Sequence, residues 1–131
     1  MEHDAHWLLL APSGAEHGDC CLSATLRDYG RLGLFAMRNG ELPDGRHVLP
    51  DGWMAESTRP SAANPGYGQL WWLGEGGGYG ARGIFGQALW INPGEDLVIV
   101  TLSAWPEATS SEFVRHRAAF FSAVTTALGE R

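Results

Sequence analysis

Lysine is absent from all 131 residues, and each of the 9 basic residues is an arginine. Any mechanism that needs a lysine ammonium or a neutral lysine base is therefore excluded for these residues. Basic charge is also outnumbered, 9 residues to 15 acidic ones, for a formal net charge of −6. That balance disfavours non-specific binding to nucleic acid or to an anionic membrane surface. No apolar run approaches the ~18 residues that a membrane span requires. The opening Met1-Glu2-His3-Asp4 has neither a basic n-region nor a long apolar h-region, so no signal peptide is expected and a cytoplasmic location is. Cysteine is limited to the adjacent pair Cys20 and Cys21. A bridge between neighbours is geometrically strained, which favours two free thiols in a reducing compartment. His17, Asp19 and Cys20 offer donors, as do His3 and His6, but neither spacing matches a zinc pattern. No metal or other cofactor is expected.

What is present reads as one globular unit. Hydrophobic residues make up 44% of the chain and charged residues 18%, which excludes general disorder. The 18 glycines are about twice the usual share of ~7% and signal tight turns and close backbone approaches. Trp7 to Leu10 reads as a short buried strand. Thr25-x-x-Asp28 is a capping box that opens a helix over 25–39, with Leu26, Tyr29, Leu32, Gly33 and Met37 at helical spacing and Asn39-Gly40 as its stop. Gly30 and Gly33 inside it imply that another element approaches closely. A short helix starts near Asp51 and ends before Pro60. Strands are expected over 67–73, 84–91 and 97–103, with a glycine-rich connection over 74–83 and a hairpin loop over 92–96. Thr109-x-x-Glu112 is a second capping box, opening a terminal helix striped with Phe113, Phe120, Phe121, Val124 and Leu128.

Chemistry-bearing motifs are few. Gly78-Tyr79-Gly80-Ala81-Arg82-Gly83 fits GxGxxG literally, but a dinucleotide site needs those glycines to open a helix, and a strand is expected after them. Eight serines (13, 23, 57, 61, 103, 110, 111 and 122) are available as nucleophiles. None stands in a GxSxG elbow, and none can stand in SxxK without a lysine. They read as caps and loop residues. Trp71 and Trp72, adjacent in a strand, point to opposite faces.

Five segments, taken in order, carry a resemblance. They are Leu22-Ser23-Ala24-Thr25-Leu26-Arg27-Asp28-Tyr29-Gly30-Arg31-Leu32-Gly33, Val48-Leu49-Pro50-Asp51-Gly52-Trp53, Gly66-Tyr67-Gly68-Gln69-Leu70-Trp71-Trp72, Gly83-Ile84-Phe85-Gly86-Gln87, and Asn92-Pro93-Gly94-Glu95-Asp96-Leu97-Val98-Ile99-Val100. Together the series resembles the C-terminal part of the β-lactamase-like, penicillin-recognising serine hydrolases. Within them it is most similar to 6-aminohexanoate-dimer (nylon-oligomer) hydrolases and class C β-lactamase-related esterases. The family's SxxK and YxN motifs have no counterpart, because the three tyrosines precede Gly-Arg, Gly-Gln and Gly-Ala.

The resemblance implies an α+β fold, with antiparallel strands flanked by helices, as the C-terminal part of a β-lactamase/transpeptidase-like fold. Residues 1–131 would be a single partial domain. It also implies ester or small-amide hydrolysis through a serine acyl-enzyme once an N-terminal segment completes the site. The family's KTG motif falls on Ala81-Arg82-Gly83, with alanine in place of lysine. By the same match the backbone N–H of Ile84 is an oxyanion-hole donor, and Arg82, Gly83 and Phe85 line the substrate site. A truncated, non-catalytic remnant acting as a binding or complementing module is the alternative. Either way an uncovered sheet edge and face are expected to promote self-association.

Overall fold

The computed structural model describes residues 1–18 and 20–129; Asp19, one of the donors considered with His17 and Cys20, lies outside the described residues. A two-stranded antiparallel pair, β1 (His6–Trp7) with β2 (Leu22–Ser23), leads into helix α1 (Leu26–Met37) and a short helix α2 (Trp53–Ser57). An antiparallel sheet follows, in the order β3 (Trp72–Leu73), β4 (Tyr79–Arg82), β5 (Ala88–Asn92), β6 (Leu97–Thr101). Helix α3 (Ser111–Gly129) closes the described chain. The α+β expectation holds.

Helix α1 forms where its capping residues place it. Thr25 Oγ1 accepts the N–H of Asp28 at 3.2 Å, satisfying one of the free donors of the first turn. Asp28 is wholly buried. Its carboxylate turns to the N-terminal segment, accepting the backbone N–H groups of Glu2 (2.6 Å) and His3 (3.2 Å) as well as the Thr25 hydroxyl (3.0 Å). Arg31 pairs with both Asp28 and Glu2, so the first residues are fastened to the start of α1. Asn39 and Gly40 end the helix with φ of 54° and 83°.

The core lies between α1 and one face of the sheet. Gly33 faces Val98 and Leu89 so closely that a Cβ there would overlap both side chains. Gly30 has open space around it, so only one of the two expected approaches exists. Ala36, Met54, Tyr79, Leu89 and Ile91 form the buried cluster, and Trp71 packs edge-on against Tyr79 with ring centroids 5.1 Å apart. The Tyr79 hydroxyl donates to the carbonyl of Ala36 at 3.2 Å, and burial raises its pKa.

Three local readings are corrected. The glycine-rich stretch contains β4: Gly80 stands opposite Trp90, where any side chain would meet the Leu89 carbonyl. The strand expected over 84–91 starts only at Ala88, because residues 83–87 form the turn that joins β4 to β5. Trp7 to Leu10 is exposed, its pairing confined to the small β1–β2 ladder and an isolated bridge between Leu9 and Glu16. In addition, Cys20 and Cys21 are joined by a disulfide, contrary to the free-thiol reading; the left-handed backbone at Cys21 (φ 76°) brings the two sulfurs together. No helix among the described residues is long and apolar enough to cross a membrane.

Candidate functional site

The turn that interrupts the expected strand carries Gly83, Ile84 and Phe85, three of the four residues singled out from the sequence. The N–H of Gly83 donates to the carbonyl of Gln87 at 2.8 Å, and the N–H of Gly86 donates to the carbonyl of Gly83 at 3.2 Å. Gly86 has φ of 93°, a conformation that favours glycine, and the indole of Trp105 occupies the space a Cβ would need. The segment after β6 folds back over this turn. Thr109 N–H donates to the carbonyl of Ile84 at 2.8 Å, and Trp105 N–H donates to the carbonyl of Phe85 at 3.0 Å.

Two consecutive carbonyls of the turn are thus tied down while the N–H of Ile84 finds no acceptor among the described residues. Ile84 is 59% exposed and Phe85 41%. A backbone donor without an acceptor, in a turn held in place by its neighbours, is the kind of group that can receive a developing negative charge. It needs little reorganisation when that charge forms.

The four residues singled out from the sequence divide between two places. Gly83, Ile84 and Phe85 sit together in the turn. The Arg82 side chain leaves them: its guanidinium lies 5.3 Å from the centre of the Trp72 ring and lines a groove between the sheet and α3. Trp71 and Trp72 do point to opposite faces, the first into the core and the second toward Arg82. Two of the available serines serve local structure. Buried Ser57 donates to the Met54 carbonyl at 3.3 Å, and the Ser61 hydroxyl donates to the Asn64 carbonyl and accepts the Asn64 N–H in a turn.

Gly86, Trp105 and Thr109 hold the turn, a role the sequence does not assign to any of them. Trp105 and Thr109 follow the turn by some twenty residues, and no local pattern ties them to it. Thr109, expected to cap α3, has φ of 54° and is drawn into the contact with Ile84; the helix begins at Ser111.

An antiparallel sheet with a capped helix on one face and a terminal helix beyond its last strand is a mixed α/β arrangement that matches a β-lactamase-fold hydrolase. Comparison with known proteins makes the relationship specific. The Beta-lactamase family model matches residues 3–123, and this chain belongs to that family. It is 36% identical over 101 residues to the 6-aminohexanoate-dimer hydrolase of Paenarthrobacter ureafaciens, a match covering 66% of this chain and 26% of the relative. A solved structure named "Putative 6-aminohexanoate-dimer hydrolase from Bacillus anthracis" superposes with a TM-score of 0.81 at 26% identity, covering 96% of this chain and 34% of that one. The chain therefore spans about a quarter of the first relative's length and about a third of the second's.

Proposed function

We propose that this chain is the C-terminal segment of a β-lactamase-like serine hydrolase that cleaves an ester or a small amide, as a 6-aminohexanoate-dimer hydrolase does. As a single partial domain it contributes the cleft-lining strand β4 and one oxyanion donor, the N–H of Ile84. Gly83 and Phe85 shape the substrate site beside that donor. The nucleophile and its base come from an N-terminal segment of the kind the relatives' greater length contains. The observation that carries this reading is the Ile84 N–H, left open in a turn whose carbonyls are fastened by Trp105 and Thr109.

The test is a chimera. The matched segment of the Paenarthrobacter hydrolase is replaced by this chain, and hydrolysis of the aminohexanoate dimer and of p-nitrophenyl esters is followed. The chimera should be active. Ile84→Pro, which removes the N–H, should lower kcat by about 10²–10³-fold, whereas Ile84→Ala keeps the donor and most of the rate. An active chimera indifferent to Ile84→Pro would sink the oxyanion assignment. The isolated chain should hydrolyse none of these substrates, nor nitrocefin. Turnover abolished by a serine-directed phosphonate would show a complete site in the chain itself.

A further inference from the structure

The direction of the Ile84 N–H is set by its own peptide plane. The Gly83–Ile84 peptide is trans, so its C=O and its N–H point opposite ways. The Gly83 carbonyl accepts the Gly86 N–H at 3.2 Å, which turns the Ile84 N–H away from Gly86. Whatever holds Gly86 in place therefore aims the donor. Gly86 has no side chain by which it could be anchored, and its φ of 93° is a conformation that L side chains rarely adopt. It is held from outside, because the Trp105 indole fills the place a Cβ would take.

Trp105 is itself held, its backbone by the turn and its ring by α3. Its N–H is bonded to the Phe85 carbonyl at 3.0 Å, and the Thr109 N–H to the Ile84 carbonyl at 2.8 Å. The short strap between these two bonds leads directly into α3, which brings Phe113 and Arg117 back against the indole. The rings of Trp105 and Phe113 lie 5.6 Å apart with their planes 32° from parallel. The Arg117 guanidinium lies 5.1 Å from the centre of the indole. Phe113 and Arg117 are one helical turn apart and so share a face. Both are partly buried, while Val114, Arg115 and His116 between them are exposed. The side that this part of α3 covers is the side that meets Trp105.

We propose that Trp105, backed by Phe113 and Arg117, is the positioning residue of the Ile84 N–H. The indole keeps Gly86 in place, Gly86 fixes the Gly83 carbonyl, and that carbonyl sets the direction of the N–H in the same peptide plane. The proposal rests on the reading of that N–H as the oxyanion donor. It gives the start of α3 a part in the reaction, although none of its residues touches a reacting atom. An oxyanion donor accelerates the reaction only when it is aimed at the place where charge develops. A misdirected donor therefore loses rate, while a ground-state substrate bound by other groups is held nearly as well.

Two measurements decide it. In the full chain, NMR should show contacts between the Trp105 indole and the Gly86 Cα protons. Trp105→Ala should shift the Ile84 amide resonance while that of Ile91, in the core beside α1, stays in place. In the chimera with the Paenarthrobacter segment, Trp105→Ala should lower kcat by about 10–10²-fold and change KM by less than about threefold. Trp105→Phe keeps a ring on Gly86 and should recover most of the rate. Arg117→Met removes only part of the backing and should cost about two- to fivefold in kcat, whereas Arg59→Met costs nothing. Should Trp105→Ala unfold the chain, Arg117→Met makes the same comparison, and the amide shifts need no active chimera. An Ile84 amide unmoved in a folded variant would overturn the proposal. So would a loss carried by KM alone, or full rate for Trp105→Ala in a chimera that Ile84→Pro disables. These outcomes leave the oxyanion reading standing. A chimera indifferent to Ile84→Pro removes that reading, and the proposal with it.

Discussion

The two faces of the sheet are built from similar strands yet are covered to very different degrees. On the α1 face, Gly33 lets the helix backbone settle against Val98 and Leu89, Ile91 has no exposed surface, and Tyr79 ties the strand to the helix through the Ala36 carbonyl. On the opposite face α3 has no fully buried residue along its length, Phe120 is 51% exposed, and the orphaned polar atoms of Thr101 and Arg117 lie there. Burial of apolar surface is the main favourable term in folding. The stability of this chain therefore resides between α1 and the sheet, and α3 adds comparatively little. The relatives are about three times as long, and the open face is where a chain extended by further residues has most to gain.

The contrast is sharpest for substitutions that open or overfill the closed face. Ile91→Ala removes a fully buried side chain from the centre of the cluster and should cost about 2–5 kcal/mol. Gly33→Val forces branched carbons into Val98 and Leu89 and should cost about 1–3 kcal/mol. Urea unfolding followed by tryptophan fluorescence measures both. If either is as mild as a substitution on α3, the closed face is not where the chain is held.

That closed face was largely legible in the sequence. The cap Thr25, the stop at Asn39-Gly40 and the hairpin joining β5 to β6 are short-range signals read within a few residues, and each is present. Strand β4 was not legible, because glycines break the alternation that marks a strand. They are there for a long-range reason: the Trp90 ring lies where side chains on Gly74 and Gly78 would be, and Gly80 clears the Leu89 carbonyl. Glycine content that makes room for a tryptophan on the next strand reads locally as a loop. The candidate site divides in the same way. The position of Ile84 came through a resemblance in motif order, whereas its support by Trp105 and Thr109 depends on tertiary contacts that no periodicity encodes.

A medium effect should appear at the N-terminal end of α1. The Glu2 N–H, then the Thr25 hydroxyl, the His3 N–H and Arg31, hold the Asp28 carboxyl below the ordinary carboxylate range, against the opposing effect of burial. A carboxyl with a depressed folded pKa stabilises the fold above its unfolded pKa of about 3.9, and that contribution is lost as pH falls through the folded value. The chain should lose stability below about pH 4, and Asp28→Asn should flatten that part of the profile while lowering stability at pH 7. Thr25→Ala, which removes the cap, should cost about 0.5–2 kcal/mol. Urea midpoints measured between pH 2.5 and pH 7 check all three. A wild-type acid limb retained by Asp28→Asn would assign it to other carboxylates.

The smallest effect is expected on the open face and bears most directly on the contrast between the two. Phe120 is half exposed, its ring 5.9 Å from that of Phe121 at a tilt of 55°. Truncating it in the isolated chain removes little surface that folding had taken from water, so Phe120→Ala should change stability by about 0.5 kcal/mol or less. The same residue contributes to an uncovered apolar patch, and such patches drive association. Phe120→Ala should therefore reduce self-association in sedimentation velocity while leaving the urea midpoint nearly unchanged. In the chimera with the Paenarthrobacter segment the balance should reverse. If the added chain covers α3, the substitution becomes a buried large-to-small change and should cost about 3–5 kcal/mol. A cost that is equally small in both settings would mean that α3 stays open in the chimera too, and that the difference between the two faces belongs to the fold rather than to the lack of further chain.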